Sequence, residues 1–591
     1  MPHTFHIPVL GLGYSIDTPV KVAQYGISSV ASIVDDELIE RMRAHYVRMR
    51  GETYTPITKK DPDYRAKRIT AYLDLIQEII QESLGELQQQ PFGENNDIAR
   101  YFHLLPPGSS VKQRYEAMLN MPEGADKMQE QEALRGSIVP GAIDVNIMSK
   151  VDKMNVDAAG NVSGDIYSDA LAALRGFALS KLSSSIIMSA GMNPRLYSYL
   201  ESFPDFYPDS TGITRKKVIL KVSDYRSALV QAKFLAKKGI WVSEFRIESG
   251  LNCGGHAFAT EGNLLGPVLE EFKHRRDEMF TELLTMYSIA LENKGIALPN
   301  VPATRITVQG GIGTAAENSF LLDHYGLEAT GWGSPFLLVP EVTNVDDETL
   351  YELANAIGDA YYVSDSSPLG VLFNNFKSST AEKQRLERIA KGRPGSPCNK
   401  RYLVSNTEFT AEPICTASRQ YQQLKIRQLS SLEPRPADLD RQLEAVTEKL
   451  CLCDGLSTAA LIKNNLVKPR ENKAVAICPG PNLAWFSGIY SLDEMVGHIY
   501  GQVDLLTKSI RPNMFINELN LYVDYLKRDM ERHAAVLNEK KAKYFTKFKE
   551  NLFEGIRYYK NLIPEIKNQT AAYREEMMAQ LGAMEMELAR I

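Results

Sequence analysis

Cysteine is scarce in this chain, with 6 residues among 591. That is too few for the disulfide framework of a small secreted domain, and the thiols read as reduced. A basic surplus is also missing. The formal net charge is −6, which excludes a general nucleic-acid binder, whose footprint is strongly basic. Long apolar runs are absent. No segment approaches the roughly 20 residues that span a bilayer, so no membrane partner is expected. Residues 1–10 show no basic region followed by an apolar core. The expectation is therefore no secretory signal and a cytoplasmic location. What is present is ordinary globular composition, 44% hydrophobic and 24% charged. The length exceeds one ordinary domain and suggests about three or four units, fewer if one is a large α/β barrel.

Short β-branched runs alternate with helical patterns through the first half. Residues 6–12 read H-I-P-V-L-G-L, and Thr18-Pro19 then opens a helix, with Thr18 as N-cap and Pro19 at the first helical position. Gly26 stops that helix before a second run at 27–34. Residues from 35 to about 139 break the rhythm: they are long, polar and mostly helical, with apolar positions at helical spacing through 64–87. Strand-like runs resume at 142–148, 184–189, 217–222, 241–247, 305–309 and 328–331, with helices between them and Ser223 capping one. Eight parallel strands with intervening helices is the count of a (β/α)8 TIM barrel. The expected organisation is a barrel over 1–345 with a helical insertion at about 35–139. A mixed, cysteine-containing extension follows over 346–510, and a helical region over 511–591.

Such barrels place their sites at the C-terminal ends of the strands. Those ends hold Leu12 and Gly13, Asn146, Ser189, Lys221, Gly255 and His256, Gly310 and Gly311, and Gly333 and Ser334. Residues 248–258 read E-S-G-L-N-C-G-G-H-A-F. Paired glycines let backbone approach a ligand closely, and histidine exchanges a proton near neutral pH. The bland alternative is a tight turn with a hydrogen-bonded histidine. Glycine-rich loops after the last two strands commonly hold a phosphate on their amides. Gly310-Gly311-Ile312-Gly313 and Gly331-Trp332-Gly333-Ser334 occupy those places.

The order of these motifs resembles the nitronate monooxygenase (2-nitropropane dioxygenase-like) family of FMN-binding barrels, to which the flavin-type enoyl-acyl carrier protein reductases are related. The matching pieces are Pro8–Gly13, Thr18-Pro19 and Gly26, Val145-Asn146-Ile147, and Ser189 with Gly191 and Pro194. Asn252–His256, Gln309–Ile312 and Gly333–Phe336 complete the set. The resemblance covers roughly 7–34 and 142–341. It implies an FMN phosphate on Gly310, Gly311, Gly333 and Ser334. It also implies ring contacts from Asn146 and the Leu12-Gly13 backbone, and His256 as the proton-transfer residue. Ser189, Lys221 and Gly255 complete the expected cofactor set. The departures are Asn252-Cys253 where the family has Glu-Ala, and Ser334-Pro335 where it has Thr-Arg.

Past the barrel, residues 364–376 read S-D-S-S-P-L-G-V-L-F-N-N-F. This resembles a stretch that follows the barrel in the enoyl reductases serving polyunsaturated fatty acid and polyketide synthases. Cys398, Cys415, Cys451, Cys453 and Cys478 lie in the extension. Thiolates from loops can hold an iron–sulfur cluster or zinc, but no C-x-x-C pair is present and buried free thiols are common. From 513 onward the chain is helical and amphipathic. Its apolar face suits packing on the barrel or on another copy in a homo-oligomer, and Pro564 divides it.

Three functions follow as expectations. The first is an FMN-dependent oxidoreductase of the nitronate monooxygenase type, acting on a small-molecule substrate with oxygen. The second is a flavin-dependent enoyl-thioester reductase using NAD(P)H. The third is a non-catalytic phosphate-ligand barrel or scaffold, since fold alone does not license function.

Overall fold

The computed structural model describes residues 2–93, 95–148, 152–155, 164–189, 191–252, 261–506, 511–534, 538–567 and 569–591. Eight parallel strands close into a barrel in the order of the sequence. They are β1 (Phe5–Ile7), β2 (Ser28–Ser32), β3 (Ile143–Ile147), β4 (Ser184–Met188), β5 (Lys216–Val222), β6 (Val242–Glu248), β7 (Arg305–Gln309) and β8 (Ala329–Gly331). β8 pairs back onto β1, with His6 opposite Gly331. A ring has no unpaired strand edge, and each parallel crossover carries the chain over the outside.

Local chemistry explains the short elements, with small corrections to the expected caps. The first helix is Thr18–Val22, and its N-cap is Asp17, not Thr18. The Thr18 hydroxyl donates instead to the Val342 carbonyl at 2.9 Å. Asp224, not Ser223, caps Tyr225–Ala236 by accepting from the Ser227 amide. Gly26 ends its turn in the left-handed conformation that favours glycine.

After β2 the chain runs through five helices between Asp36 and Gly136 before it returns to β3. The longest, Tyr64–Gln89, lies against Asp169–Ala178, the helix between β3 and β4. Its approach needs Gly176, because a Cβ there would stand 2.7 Å from the Ala66 carbonyl oxygen.

The C-terminal helices Met514–His533, Glu539–Leu562 and Ala571–Arg590 share one apolar core with the barrel. Phe515, Leu552, Ile556 and Tyr559 are buried in it. The chain bends between the last two helices through Ile563–Glu565, where Pro564 sits. A two-stranded hairpin pairs β9 (Tyr361–Ser364) with β10 (Phe373–Phe376), and residues 364–376 supply its turn, β10 and the last residue of β9. No described helix is long and apolar enough to cross a membrane.

Candidate functional site

Period-two alternation turns every second strand residue into the barrel. Part of the interior is apolar, with Val9, Val30, Ile187 and Ile219 packed together. Charged residues stand directly beside them, Asp144 in register with Val30 and Glu244 with Ile219. Arg246, 2% exposed, donates to Glu244 at 2.8 Å and to Asp144 at 3.0 Å. Thr307 adds a 2.7 Å bond to Glu244. Burial opposes ionisation of Glu244, but Arg246 and Arg305 outweigh it and hold the carboxyl below its ordinary range. Asp144 moves the other way, because burial there outweighs Arg246. His6 is fully buried beside this group, and desolvation pushes its pKa well down, so it is neutral.

Above this layer, at the C-terminal mouth, stands a collar of polar groups. Glu248 ends β6, and one of its oxygens accepts from three side chains: Lys221 Nζ at 3.0 Å, Gln309 Nε2 at 2.8 Å and Asn252 Nδ2 at 2.5 Å. Lys221 and Glu248 are 14% and 12% exposed, so their pairing is partly desolvated. His6 Nε2 lies 3.4 Å from Gln309 Oε1, which joins the collar to the interior. Across the mouth, Ser32 of β2 pairs in register with half-buried Asn146 of β3. The Ser32 hydroxyl is buried with no hydrogen-bond partner among the described residues. A buried polar atom without a partner normally has a ligand or water to satisfy it.

The sequence therefore placed Asn146 and Lys221 at the mouth, and Ser189 stands half-buried just past β4. It missed Ser32, Glu248 and Gln309, which were legible as inward positions at strand ends. Gly255 and His256 lie outside the described residues.

The glycine loops have more to do than face a ligand. Gly310 and Gly311 adopt φ of +105° and +80°. A Cβ on Gly310 would stand 2.9 Å from the Asn252 amide nitrogen, and one on Gly311 would stand 2.6 Å from the Leu251 side chain. The last amide of that loop, Gly313, donates to Glu317 at 2.9 Å, so a carboxylate of the chain already occupies it. Arg511, 2% exposed, bonds to Glu317 at 2.6 Å, to Asn482 and to the Gly311 carbonyl. Gly333 leads into the short turn Ser334–Leu338, where Ser334 is buried. Half-buried Leu12 precedes Gly13, whose amide donates to the Leu456 carbonyl at 3.1 Å. That amide faces the helix Leu452–Lys463 rather than the open mouth.

The extension thus roofs the barrel. Tyr402, Lys400 and Ser457 all bond to Asp35, just past β2. Asn374 of β10 donates to the Asn252 carbonyl at 3.5 Å. It also lines a cavity of about 430 Å³ shared with Tyr361, Tyr362, Pro481, Asp524 and Arg528. That volume is in the range of small-molecule sites.

The cysteines of the extension are free thiols. Cys398 and Cys415 lie in mutual contact, while Cys453 and Cys478 sit in an apolar cluster with Cys451 against it. Among the described residues, no group of three or more His, Cys, Asp or Glu is arranged to hold a metal ion.

Fold and site together define a parallel α/β barrel with a polar mouth roofed by its own C-terminal extension. No model of a known family matches the chain, and no curated protein sequence matches it. Among solved structures it is similar to the enoyl reductase domain of MlnA from the macrolactin biosynthesis cluster of Bacillus amyloliquefaciens. The identity is 14% over 76% of this chain and 88% of that one, with a TM-score of 0.30. A superposition that loose carries neither fold nor function from one chain to the other.

Proposed function

We propose that the barrel mouth binds FMN and that the chain is a flavin-dependent reductase of enoyl thioesters, with a nicotinamide cofactor as reductant. One observation carries this choice. The stretch that resembles the enoyl reductases of fatty acid and polyketide synthesis supplies β10 and the turn before it, and Asn374 of β10 reaches the Asn252 carbonyl at the mouth. The resembling segment is therefore part of the site rather than a distant appendage.

The residues present fit the cofactor in part. Ser32 supplies a hydroxyl with no partner among the described residues, Asn146 stands in register beside it, and Lys221 supplies a polar group across the mouth. Gly310, Gly311, Gly333 and Ser334 would hold the phosphate end. The Gly13 and Gly313 amides are already used within the chain. When bound, FMN supplies hydride transfer. The chain's own residues do the rest. Lys221 presents a positive charge at the mouth, and Glu248 fixes that ammonium together with Asn252 and Gln309. His256 would deliver a proton to the carbon next to the thioester carbonyl, and the bound flavin would supply the hydride for the carbon beyond it. The cavity lined by Asn374 takes the acyl chain.

The test begins with the visible spectrum of the purified protein and mass identification of what it releases on denaturation. Bound FMN, oxidation of NADPH and saturation of crotonyl-pantetheine are the expected results. A colourless protein that FMN does not reconstitute sinks the flavin reading. A yellow protein that oxidises a nitronate with oxygen and ignores the enoyl thioester returns the assignment to nitronate monooxygenase.

A further inference from the structure

Glu518 lies on the helix Met514–His533, far along the chain from the barrel strands, and is 1% exposed. Its carboxylate has no cation within bonding distance among the described residues. It accepts instead from three neutral donors. One oxygen takes the Ser249 hydroxyl at 2.8 Å and the Gly250 amide at 3.2 Å. The other takes the Leu265 amide at 2.7 Å. Ser249 and Gly250 begin the loop that leaves β6, and Leu265 begins the helix at its far end. One buried carboxylate thus ties the two ends of the loop together.

Neighbouring contacts repeat the arrangement. The Tyr559 hydroxyl accepts from the Gly266 amide at 3.0 Å, and Asn551 donates to the Glu261 carbonyl at 2.7 Å. A Cβ on Gly250 would stand 2.4 Å from the Tyr522 ring. From Ser249 the connection runs directly to the mouth. The Asn252 amide bonds to the Ser249 carbonyl at 3.1 Å, and the Asn252 side chain bonds to Glu248.

We propose that Glu518 is a positioning residue of the barrel mouth: by holding Ser249, Gly250 and Leu265 it sets the turn that presents Asn252 to the Glu248–Lys221 pair. A glutamine cannot replace it. Its amide offers one acceptor and one donor group to three donors, so one end of the loop meets a like-polarity group. The inference rests on the reductase reading only for its turnover measurement.

The experiment compares the full-length wild type with Glu518→Gln. Amide hydrogen exchange is followed in peptides covering Gly250 and Leu265. Flavin content, melting temperature, and kcat and KM with crotonyl-pantetheine and NADPH are measured alongside. Exchange at both ends should rise together, by about tenfold or more. kcat should fall by about ten- to a hundredfold, the scale of a small misplacement of reacting groups. Flavin content and the KM for NADPH should hold. Exchange unchanged at either end overturns the clamp. Faster exchange with unchanged kcat per flavin makes Glu518 structural only, which also overturns the proposal. Should Glu518→Gln not fold, Ser249→Ala removes a single donor. It should show faster exchange at Gly250 with a smaller fall in kcat, and no change in either overturns the proposal. A wild type without enoyl reductase turnover defeats the functional reading, while the exchange measurement still decides the clamp.

Discussion

Glu248 is the residue on which the mouth converges, because a single carboxylate oxygen takes three side-chain donors and one of them is charged. Lys221 is held there against its tendency to reach water. Lys221→Met removes the charge and keeps the apolar stem, so the barrel should fold with a melting temperature within a few degrees of wild type. Turnover per bound flavin should fall by about a hundredfold, the lower end of the range for loss of one electrostatic group. Unchanged turnover would make the pair a structural one. His256→Ala is the companion variant: flavin should stay, and turnover should fall by at least about a hundredfold, as for loss of a general acid or base. Asn146 and Lys221 were legible from sequence because they close inward-facing strand positions. Ser32 and Glu248 follow the same rule. They went unnoticed because serine and glutamate at a strand end look like ordinary turn residues until the barrel closes around them.

At the scale of the element, the glycines behave as packing residues. Gly266 is the second residue of the helix Leu265–Asn293, and a Cβ there would stand 2.3 Å from the Tyr559 ring. Gly266→Ala should lower stability by about 1–3 kcal/mol, the usual range for overpacking, read as a shift in the urea midpoint; no shift would mean the C-terminal helix yields freely. Gly311 illustrates the same point in the phosphate loop. A side chain there would strike Leu251, and its φ is already positive. Gly311→Val should therefore destabilise the fold as well as disturb any ligand. Loss of flavin from that variant alone would not locate the phosphate. The strands, the loops and the break at Pro564 were legible from periodicity and turn residues. The caps shifted by one residue, from Thr18 to Asp17 and from Ser223 to Asp224, because neighbouring Ser, Thr and Asp all suit an N-cap.

Over the whole molecule, the extension and the C-terminal helices are built into the barrel through buried polar groups. Arg511 and Glu317, both 2% exposed, make the clearest such link. Arg511→Met leaves Glu317 buried without its partner and should cost about 3–5 kcal/mol of stability, measured by chemical denaturation; a loss under about 1 kcal/mol would show water reaching the site. The buried His3 joins β1 to Tyr500 and Tyr25. Burial lowers its pKa from 6.5 to about 4. The unfolded chain takes up that proton below 6.5 while the folded chain resists. Stability is therefore fully present above 6.5 and is lost as pH falls toward 4, by about 2 kcal/mol at pH 5. Glu518 has the opposite sign. Burial lifts it to about 7, so stability falls as pH rises from about 4.5 through 7, and the carboxylate that takes all three donors is the form that prevails above 7. Comparing wild type with His3→Gln at pH 7.5 and 5 isolates the first effect, and equal pH dependence in both would refute it.

The sequence by itself determined the barrel and its strand count, and it put Asn146 and Lys221 near the ends of β3 and β5, because these depend on local alternation and on turn chemistry along the chain. Only the tertiary structure decided what those residues touch. Gly13 meets Leu456, Gly313 meets Glu317, and Ser249 meets Glu518. The last of these contacts joins residues 269 positions apart. No local pattern encodes such a partner. It follows from burial, which makes a polar group take its partners from whatever the fold brings beside it.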